Sequence, residues 1–235
     1  MNLLVLALAP VVIIAAYIYF RDKYEKEPLR LLLFALLAGG LTVIPILFLE
    51  RFLDRFTLQF PWLFAAAWKA FAVAAFSEEL FKYLALYLLI WKSPEFNEKF
   101  DGIVYAVYVS LGFAAVENVL YVMDGGLTTG IMRAITAVPA HAIFGITMGF
   151  YFGLAKFYEK QRQSLKQKAL LFPILLHGIY DFILFTEIGW LTIVFVGFVV
   201  YLYISGLKRL RELSRQSIYN TNYDLLNEKL SNTKP

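Results

Sequence analysis

The stretch AAFSEELFKYLAL, residues 74–86, places three charged side chains inside one of the most apolar parts of the chain. They are Glu78, Glu79 and Lys82. On insertion scales a charged side chain near the centre of a bilayer costs about 2.5–3.5 kcal/mol. A membrane helix that carries all three must therefore turn them towards other helices or a water-filled cavity. The stretch predicts a helix in a bundle whose interior is polar.

The composition of the whole chain agrees with a membrane location. Of its 235 residues, 60% are hydrophobic and only 17% are charged, whereas about 25% of the residues in soluble domains are charged. Apolar runs of roughly 20 residues are typical of transmembrane helices. The fold class that we predict is an all-α, polytopic membrane helix bundle.

The apolar runs divide into seven predicted spans. They are residues 2–20, 29–49, 62–91, 102–122, 129–157, 168–186 and 189–207. The third and fifth spans are longer than a bilayer requires. The count becomes eight if residues 62–76 form a separate element, and Pro139 is expected to kink the fifth span.

The loops that join these spans differ in charge. Lys and Arg are concentrated in 21–28, 92–101, 156–168 and the segment after 207, which all lie on one side in the seven-span arrangement. Because basic loops face the cytoplasm, the N-terminus is predicted outside and the C-terminus inside. We expect one transmembrane domain over 1–207 and a polar cytoplasmic tail over 208–235.

Two features of the composition exclude classes of function. The chain has no cysteine, so disulfides, thiolate nucleophiles and iron–sulfur clusters are ruled out. Its net charge of +4 comes from basic residues beside the hydrophobic ends of spans. That distribution indicates contact with the lipid bilayer and not with nucleic acid.

Helical spacing brings some of the polar residues in the spans together. Glu78 and Lys82 are four residues apart, so they share one face of a helix. His177 and Asp181 have the same spacing, and an aspartate there can fix the tautomer of the imidazole. His141 and His177 are the only histidines in the chain, and both fall within predicted spans.

The full set of candidate site residues shares this location inside apolar spans. The set is Glu78, Glu79, Lys82, Glu117, Asn118, His141, His177 and Asp181. Taken singly, each has a structural explanation, such as an ion pair or a hydrogen bond that joins two helices. Taken together, they predict one polar chamber inside the bilayer with a chemical role.

Three motifs in this set resemble those of a known family. The segments EELFK (78–82), FAAVE (113–117) and HGIYD (177–181) are similar to the EExxK, FxxxE and HxxxD motifs of the PrsW family of intramembrane proteases. That family is distantly similar to the CAAX prenyl endopeptidases and bacterial Abi proteins. In the CAAX relatives the second motif ends in His, whereas this chain has Glu117. His141 is a candidate to replace that histidine from a neighbouring helix.

The resemblance implies an enzyme in the plasma membrane of a prokaryote. Its expected activity is hydrolysis of a peptide bond in a single-pass membrane protein, in the manner of the first cut in an anti-sigma factor. The resemblance assigns the peptidase activity to Glu78 and Glu79, with Lys82, Glu117, His177 and Asp181 in supporting positions. We add Asn118 and His141 to the expected site because both are polar residues inside predicted spans.

Water is the expected nucleophile of such an enzyme. Either Glu78 or Glu79 would act as the general base, and Lys82 would stabilise the charged carboxylate. His177, oriented by Asp181, would stabilise the oxyanion or protonate the leaving amine.

A metal-dependent version of this mechanism is equally open. His141, His177 and Glu117 supply three ligands, and a catalytic zinc site requires three protein ligands and water. The HExxH helix of many zinc proteases is missing. Residues from several helices can nevertheless hold a metal in the core of a bundle.

Two non-enzymatic functions compete with the protease. Buried carboxylates, lysine and histidine are also the parts of a proton- or cation-coupled transporter. The third alternative is a membrane scaffold that binds single-pass helices and uses the polar cluster as an internal lock.

Overall fold

The structure is a computed structural model that describes residues 2–217. Every regular element in that part of the chain is helical, which confirms the all-α prediction. The α-helices are α1 (Leu3–Arg21), α2 (Leu29–Leu41), α3 (Val43–Asp54), α4 (Trp62–Ala67), α5 (Ser77–Ile90), α6 (Lys99–Ile135), α7 (Ala137–Phe157), α8 (Arg162–Phe185) and α9 (Leu191–Arg215). Short 3₁₀ turns cover Thr57–Gln59 and Glu159–Gln161.

Five helical segments among the described residues are long and apolar enough to cross a membrane. They are Leu3–Arg21, Leu29–Gln59, Lys99–Phe157, Glu159–Phe185 and Leu191–Arg215. The 59-residue segment contains two long helices, α6 and α7, that pack against each other. The bundle is therefore that of a multi-pass membrane protein, while the number of crossings and the side that each end faces stay predictions.

The helix that carries the first motif has an unusual start. Between α4 and α5 the chain forms a π-helix over Trp68–Phe76, and the flanking residues Ala67 and Ser77 keep helical φ and ψ angles. Residues 62–90 thus form one continuous helix, so no separate element exists at 62–76. A π-helix turns more slowly than an α-helix and commonly occurs near functional sites.

The second apolar segment is broken at Thr42. Proline at position 45 has no N–H with which to bond the carbonyl of Leu41, and α2 ends at Leu41. The Thr42 hydroxyl donates to the carbonyl oxygen of Gly39 over 2.5 Å. This break separates α3, which borders the site described below, from α2, which packs against α6.

The fifth predicted span is interrupted, but not where the sequence suggested. Its break lies at Thr136 (φ −120°, ψ −70°), and Pro139 occupies the first turn of α7. A proline there costs little because the first N–H groups of a helix have no intrahelical partner. The helix is therefore not kinked at Pro139; instead, α6 and α7 meet at a break three residues earlier, at Thr136.

A second break divides α6 itself. Gly126 has φ +71° and ψ −156°, a conformation that only glycine adopts without strain. The chain turns there and continues as a short helix over 127–135 that lies back against the rest of the bundle. Arg133, which lines the cavity described below, lies on this short helix.

The core of the bundle lies around the first half of α6. Residues 100–114 are all buried, and α1, α2 and α7 pack around them. The backbones of α6 and α7 touch at Gly102 and Gly149, where a Cβ atom on either residue would collide with the opposite main chain. Close contact between small residues is the usual way in which membrane helices pack.

The loops that were predicted to share one side gather at one end of the bundle. Hydrogen bonds join them: Asn97 to Glu25, Lys99 to Tyr158 and Ser217 to Glu98. At the same end α9 continues to Arg215, with Leu210 and Leu213 buried in the core. The helix thus extends beyond residue 207, where we had placed the end of the transmembrane domain. Residues 218–235 of the predicted tail lie outside the described part.

Candidate active site

The first turn of α5 begins the site. Glu78, Glu79 and Lys82 are all buried, and the Lys82 ammonium donates to Glu78 Oε2 over 3.0 Å and to Glu79 Oε1 over 2.8 Å. Lys82 Nζ also lies 3.3 Å from Nδ1 of His141 and 4.0 Å from the ring centroid of Phe113. Both predicted contacts of Lys82, with Glu79 at i,i+3 and with Glu78 at i,i+4, are present. A third contact comes from His141, which lies 59 residues further along the chain.

Helix α8 adds the second histidine. His177 Nδ1 lies 3.0 Å from Glu79 Oε1, and its Nε2 lies 3.2 Å from Asp181 Oδ2. The ring stacks on Phe144, with centroids 4.8 Å apart. Carboxylate oxygens therefore face both nitrogens of His177. A neutral imidazole donates from only one nitrogen, so one of the two contacts needs a further proton or a metal ion.

Helix α7 adds His141, whose ring is held from both sides. Its Nε2 lies 2.9 Å from Glu117 Oε2. Its Nδ1 faces the Lys82 ammonium, which can only donate, so Nδ1 accepts and the Nε2–H donates to Glu117. The rings of His141 and His177 have centroids 5.4 Å apart.

Both histidines thus present Nδ1 to the same centre and bind a carboxylate through Nε2. A carboxylate on the outer nitrogen is the usual second layer of a histidine that ligates a metal, because it fixes the tautomer and raises the basicity of the ligand. Glu117 and Asp181 occupy those outer positions.

Four residues could supply ligands to one metal ion. Glu78, Glu79, His141 and His177 each offer an atom, and these atoms all lie within 4.8 Å of one another. Glu79 Oε2 is also buried with no hydrogen-bond partner among the described residues, so an acceptor oxygen beside this group lacks a donor or cation. The donor set of nitrogen and carboxylate oxygen fits zinc or a related divalent ion.

Glu117, which we had predicted as the third metal ligand, is not in that group. It accepts from Arg133 over 2.7 Å as well as bonding His141. Its carboxylate is therefore engaged on the far side of the His141 ring from the metal-binding group.

Asn118 lies beside the site but does not line it. Its amide donates to the carbonyl oxygen of Ala7 in α1 over 2.7 Å and accepts from Arg133 Nε over 2.8 Å. The side chain ties α1 to the short helix over 127–135 and orients the guanidinium of Arg133.

A cavity of about 460 Å³ adjoins these groups. Its polar wall includes Glu78, Glu117, His141, His177 and Asp181, whereas Glu79 and Lys82 lie behind that wall. The remaining wall is largely apolar and includes Val43, Ile46, Leu47, Phe113, Phe144, Tyr180, Leu184 and Phe195. The predicted convergence in one chamber is thus present, with seven of the eight candidate residues in the cluster.

Two charged residues of the cavity were absent from our predicted set. Glu50 lies near the end of α3 and Arg133 on the short helix after Gly126, and both line the cavity. A signal for Arg133 existed, because it falls within the predicted span 129–157. Glu50 follows directly after the predicted end of the second span at residue 49, so that boundary concealed it.

Comparisons with known proteins agree with this geometry. The family model described as PrsW family intramembrane metalloprotease matches residues 27–205. Protease PrsW of Geobacillus kaustophilus is 41% identical over 189 residues, which are 80% of this chain and 82% of that protein. Protease PrsW of Oceanobacillus iheyensis is 36% identical over 94% of this chain and 100% of its own. Protease PrsW of Bacillus subtilis is 35% identical over 87% of this chain and 92% of its own.

No solved structure matches the chain. The family model covers well over half of the sequence and includes all three motifs, and the relatives align over most of their length. The chain is therefore a membrane protease and belongs to the PrsW family of intramembrane metalloproteases.

Proposed function

We propose that the protein hydrolyses a peptide bond in a single-pass membrane protein, with water activated by Glu78 as the nucleophile. The observation that carries this proposal is the convergence of Glu78, Glu79, His141 and His177, from three separate helices, beside one cavity. Hydrolysis requires a base, a means of polarising the carbonyl and space for the peptide, and this arrangement supplies all three.

Glu79, His141 and His177 are the residues that would hold a divalent metal such as zinc. Three protein ligands and one water molecule form the usual catalytic zinc site. When bound there, such an ion would make a water molecule more acidic and would polarise the substrate carbonyl. This set replaces Glu117 of the sequence-based prediction with Glu79, because Glu79 shares the Nδ1 side of both histidines and has a buried oxygen without a partner.

The two neighbouring glutamates differ in their access to substrate, which suggests separate roles. Glu78 lines the cavity, whereas Glu79 is fully buried behind it. A general base must lie within hydrogen-bond reach of the attacking water. We therefore assign proton abstraction to Glu78 and a holding role to Glu79.

Lys82, Asp181 and Glu117 would support this chemistry without touching the substrate. The Lys82 ammonium stabilises the ionised form of both glutamates through the two short contacts. Asp181 and Glu117 keep the proton of each histidine on Nε2, so that both Nδ1 atoms carry a lone pair. The Nδ1 of His141 accepts from the Lys82 ammonium over 3.3 Å, so it would ligate a metal only after that ammonium moves away.

For the substrate, the family resemblance supports a single-pass protein of the anti-sigma-factor kind. The cavity volume of about 460 Å³ lies in the range of sites that enclose small ligands, and a few residues of extended peptide fit such a volume. Because the chain is a membrane protease, the transporter and scaffold alternatives no longer compete for its main function.

The test uses the purified protein in liposomes with a single-pass protein substrate. We expect Glu78→Gln to lower the rate of cleavage at least a hundredfold, since loss of a general base typically costs 10²–10⁴-fold, while the metal content stays that of the wild type. Glu79→Gln and His177→Ala should lower both cleavage and metal content. Glu159→Gln, a change at a glutamate whose side chain is 82% exposed, is the matched control.

The same experiment separates the parts of the proposal. Full activity of metal-free protein would contradict the proposal that Glu79, His141 and His177 hold a metal, but not the proposal that Glu78 is the general base. Cleavage by Glu78→Gln at the wild-type rate would contradict the assignment of the base. Absence of cleavage by wild-type protein for every single-pass substrate would contradict the substrate class.

A further inference from the structure

Glu50 is a cavity carboxylate that the proposed mechanism does not use. It lies on the same face of α3 as Val43, Ile46 and Leu47, at the i, i+3, i+4 and i+7 positions of one helical stripe. All four residues line the cavity. The stripe therefore offers an apolar wall that ends in an acid.

The carboxylate of Glu50 has no hydrogen-bond or ion-pair partner in the described part of the chain, residues 2–217. The cavity carboxylates of Glu78, Glu117 and Asp181 each contact a cationic or histidine side chain. Glu50 also lies close enough to Glu78 and Glu117 for their charges to repel it, while His177 and Lys82 attract it from a distance without a direct contact. An ionised acid without a partner in a largely apolar wall is costly, so a cation from outside the chain would stabilise Glu50.

When the charges of the site are added up, the negative charge of Glu50 is the one without a balancing positive charge. Four other carboxylates surround the centre: Glu78, Glu79, Glu117 and Asp181. If these are ionised, Lys82, Arg133 and one divalent metal ion balance them. Since Arg133 is already bonded to Glu117 and Asn118, no cation of the site remains for Glu50.

We propose that Glu50 is a specificity-determining residue that binds a Lys or Arg side chain of the substrate near the scissile bond. This inference rests on the proposed protease function and adds the chemistry of the substrate. Long basic side chains bury an aliphatic stem and keep a charged head. The aliphatic stem could pack against the apolar wall formed by Ile46 and Leu47, and the charged head could pair with the carboxylate of Glu50.

The test compares substrates that differ at one position. Single-pass substrates carry Lys, Met or Glu in turn at each residue around the cleavage point, and kcat/KM is measured for each in liposomes. At one position the wild-type enzyme should prefer Lys over Met, which has a similar length without charge, by about tenfold or more, since a close charge pair at a partly buried carboxylate contributes strongly.

Changes at Glu50 should alter that ratio in a defined direction. Glu50→Gln should bring the Lys-to-Met ratio of kcat/KM close to one, and Glu50→Lys should favour the Glu substrate over the Lys substrate. Asp54→Asn is the matched control, because Asp54 lies one turn further along α3, accepts from Thr57 over 2.9 Å and does not line the cavity. It should keep the wild-type ratio.

The outcomes distinguish this inference from the proposed function. If wild-type protein cleaves no substrate, the protease proposal for these substrates fails and this inference with it. If wild type cleaves them with no preference for Lys at any position, only the role of Glu50 is overturned, and this result requires no variant to fold. An equal loss for all substrates in Glu50→Gln, without the reversed preference in Glu50→Lys, overturns it as well.

Discussion

At the scale of single residues, Arg133 links the site to the surrounding helices. Its guanidinium bonds Glu117 over 2.7 Å and Asn118 over 2.8 Å, and lies 4.1 Å from the ring centroid of Tyr121. Glu117 in turn bonds His141. The planar group therefore fixes the direction from which Glu117 approaches the histidine.

Replacement of this arginine should weaken the binding of metal. The variant Arg133→Lys keeps the positive charge, but its ammonium lacks the planar guanidinium that bonds Glu117 and Asn118 at the same time. Loss of an outer-layer partner typically costs 10–100-fold in metal affinity, and we expect roughly tenfold because Arg133 acts through Glu117. Competition with a chelator measures the affinity. Arg162→Lys, which alters a partly exposed pair with Glu159, is the control, and an unchanged affinity in Arg133→Lys would contradict the positioning role.

The residue scale is also where sequence reasoning was most successful. Burial cost and helical spacing identified the pairs Glu78–Lys82 and His177–Asp181, and both are in contact. Spacing along one helix cannot show which residues of other helices come near. The proposal of Glu79 instead of Glu117 as a metal ligand, beside the Nδ1 atoms of both histidines, therefore required the structure. Arg133 also required it, because its contacts depend on the turn at Gly126.

At the scale of elements, the breaks in the helices position the site. Hydropathy predicted apolar segments close to the observed helices, because burial in lipid demands continuous apolar runs. It does not indicate where a helix stops within such a run. Thr42, Gly126 and Thr136 interrupt apolar stretches. The backbone leaves helical φ and ψ angles at Gly126 and Thr136, and the segments that follow these two breaks contribute Arg133 and His141 to the cavity.

The break at Gly126 can be tested directly. Alanine at this position must adopt φ near +71° and ψ near −156°, which costs on the order of 1–3 kcal/mol, or the short helix over 127–135 must move. We expect Gly126→Ala to lower the unfolding temperature in detergent by several degrees and to lower peptide cleavage. Gly197→Ala is the control, since a Cβ there meets no neighbouring atom and alanine favours helix. Equal behaviour of the two variants would contradict this explanation.

At the scale of the whole molecule, the bundle has a second group of acids at the end opposite the cavity. In the loop after α1, burial raises the pKa of Asp22 to about 6 and that of Glu27 to about 7. Tyr105 donates a hydrogen bond to Glu27. Acids whose pKa is higher in the folded protein hold protons that the unfolded chain releases at lower pH.

Stability should therefore fall as the pH rises. The unfolded pKa values are 3.8 and 4.5, so the stabilising protonation is complete below about pH 4 and is lost as the pH passes 6 to 7. For Glu27 the effect is at most about 3 kcal/mol, at 1.36 kcal/mol per pKa unit. Unfolding temperatures of wild type and Glu27→Gln, measured from pH 4.5 to 8, should diverge, with the variant more stable at pH 8.

The control for this experiment is Glu212→Gln, at an exposed position of α9. It should follow the wild-type curve. A Glu27→Gln curve parallel to that of wild type over the whole range would show that Glu27 does not change its protonation on folding.

The π-helix ahead of Glu78 has a consequence for which changes of sequence this chain can accept. Each turn over Trp68–Phe76 contains more residues than an α-helical turn, so the angular position of both glutamates depends on how many residues precede them. A one-residue deletion in that segment would rotate Glu78 and Glu79 relative to Trp62 by somewhat less than the roughly 100° per residue of an α-helix, whereas most substitutions there would leave their direction intact. The length of the segment, more than its composition, keeps the acids aimed at the histidines.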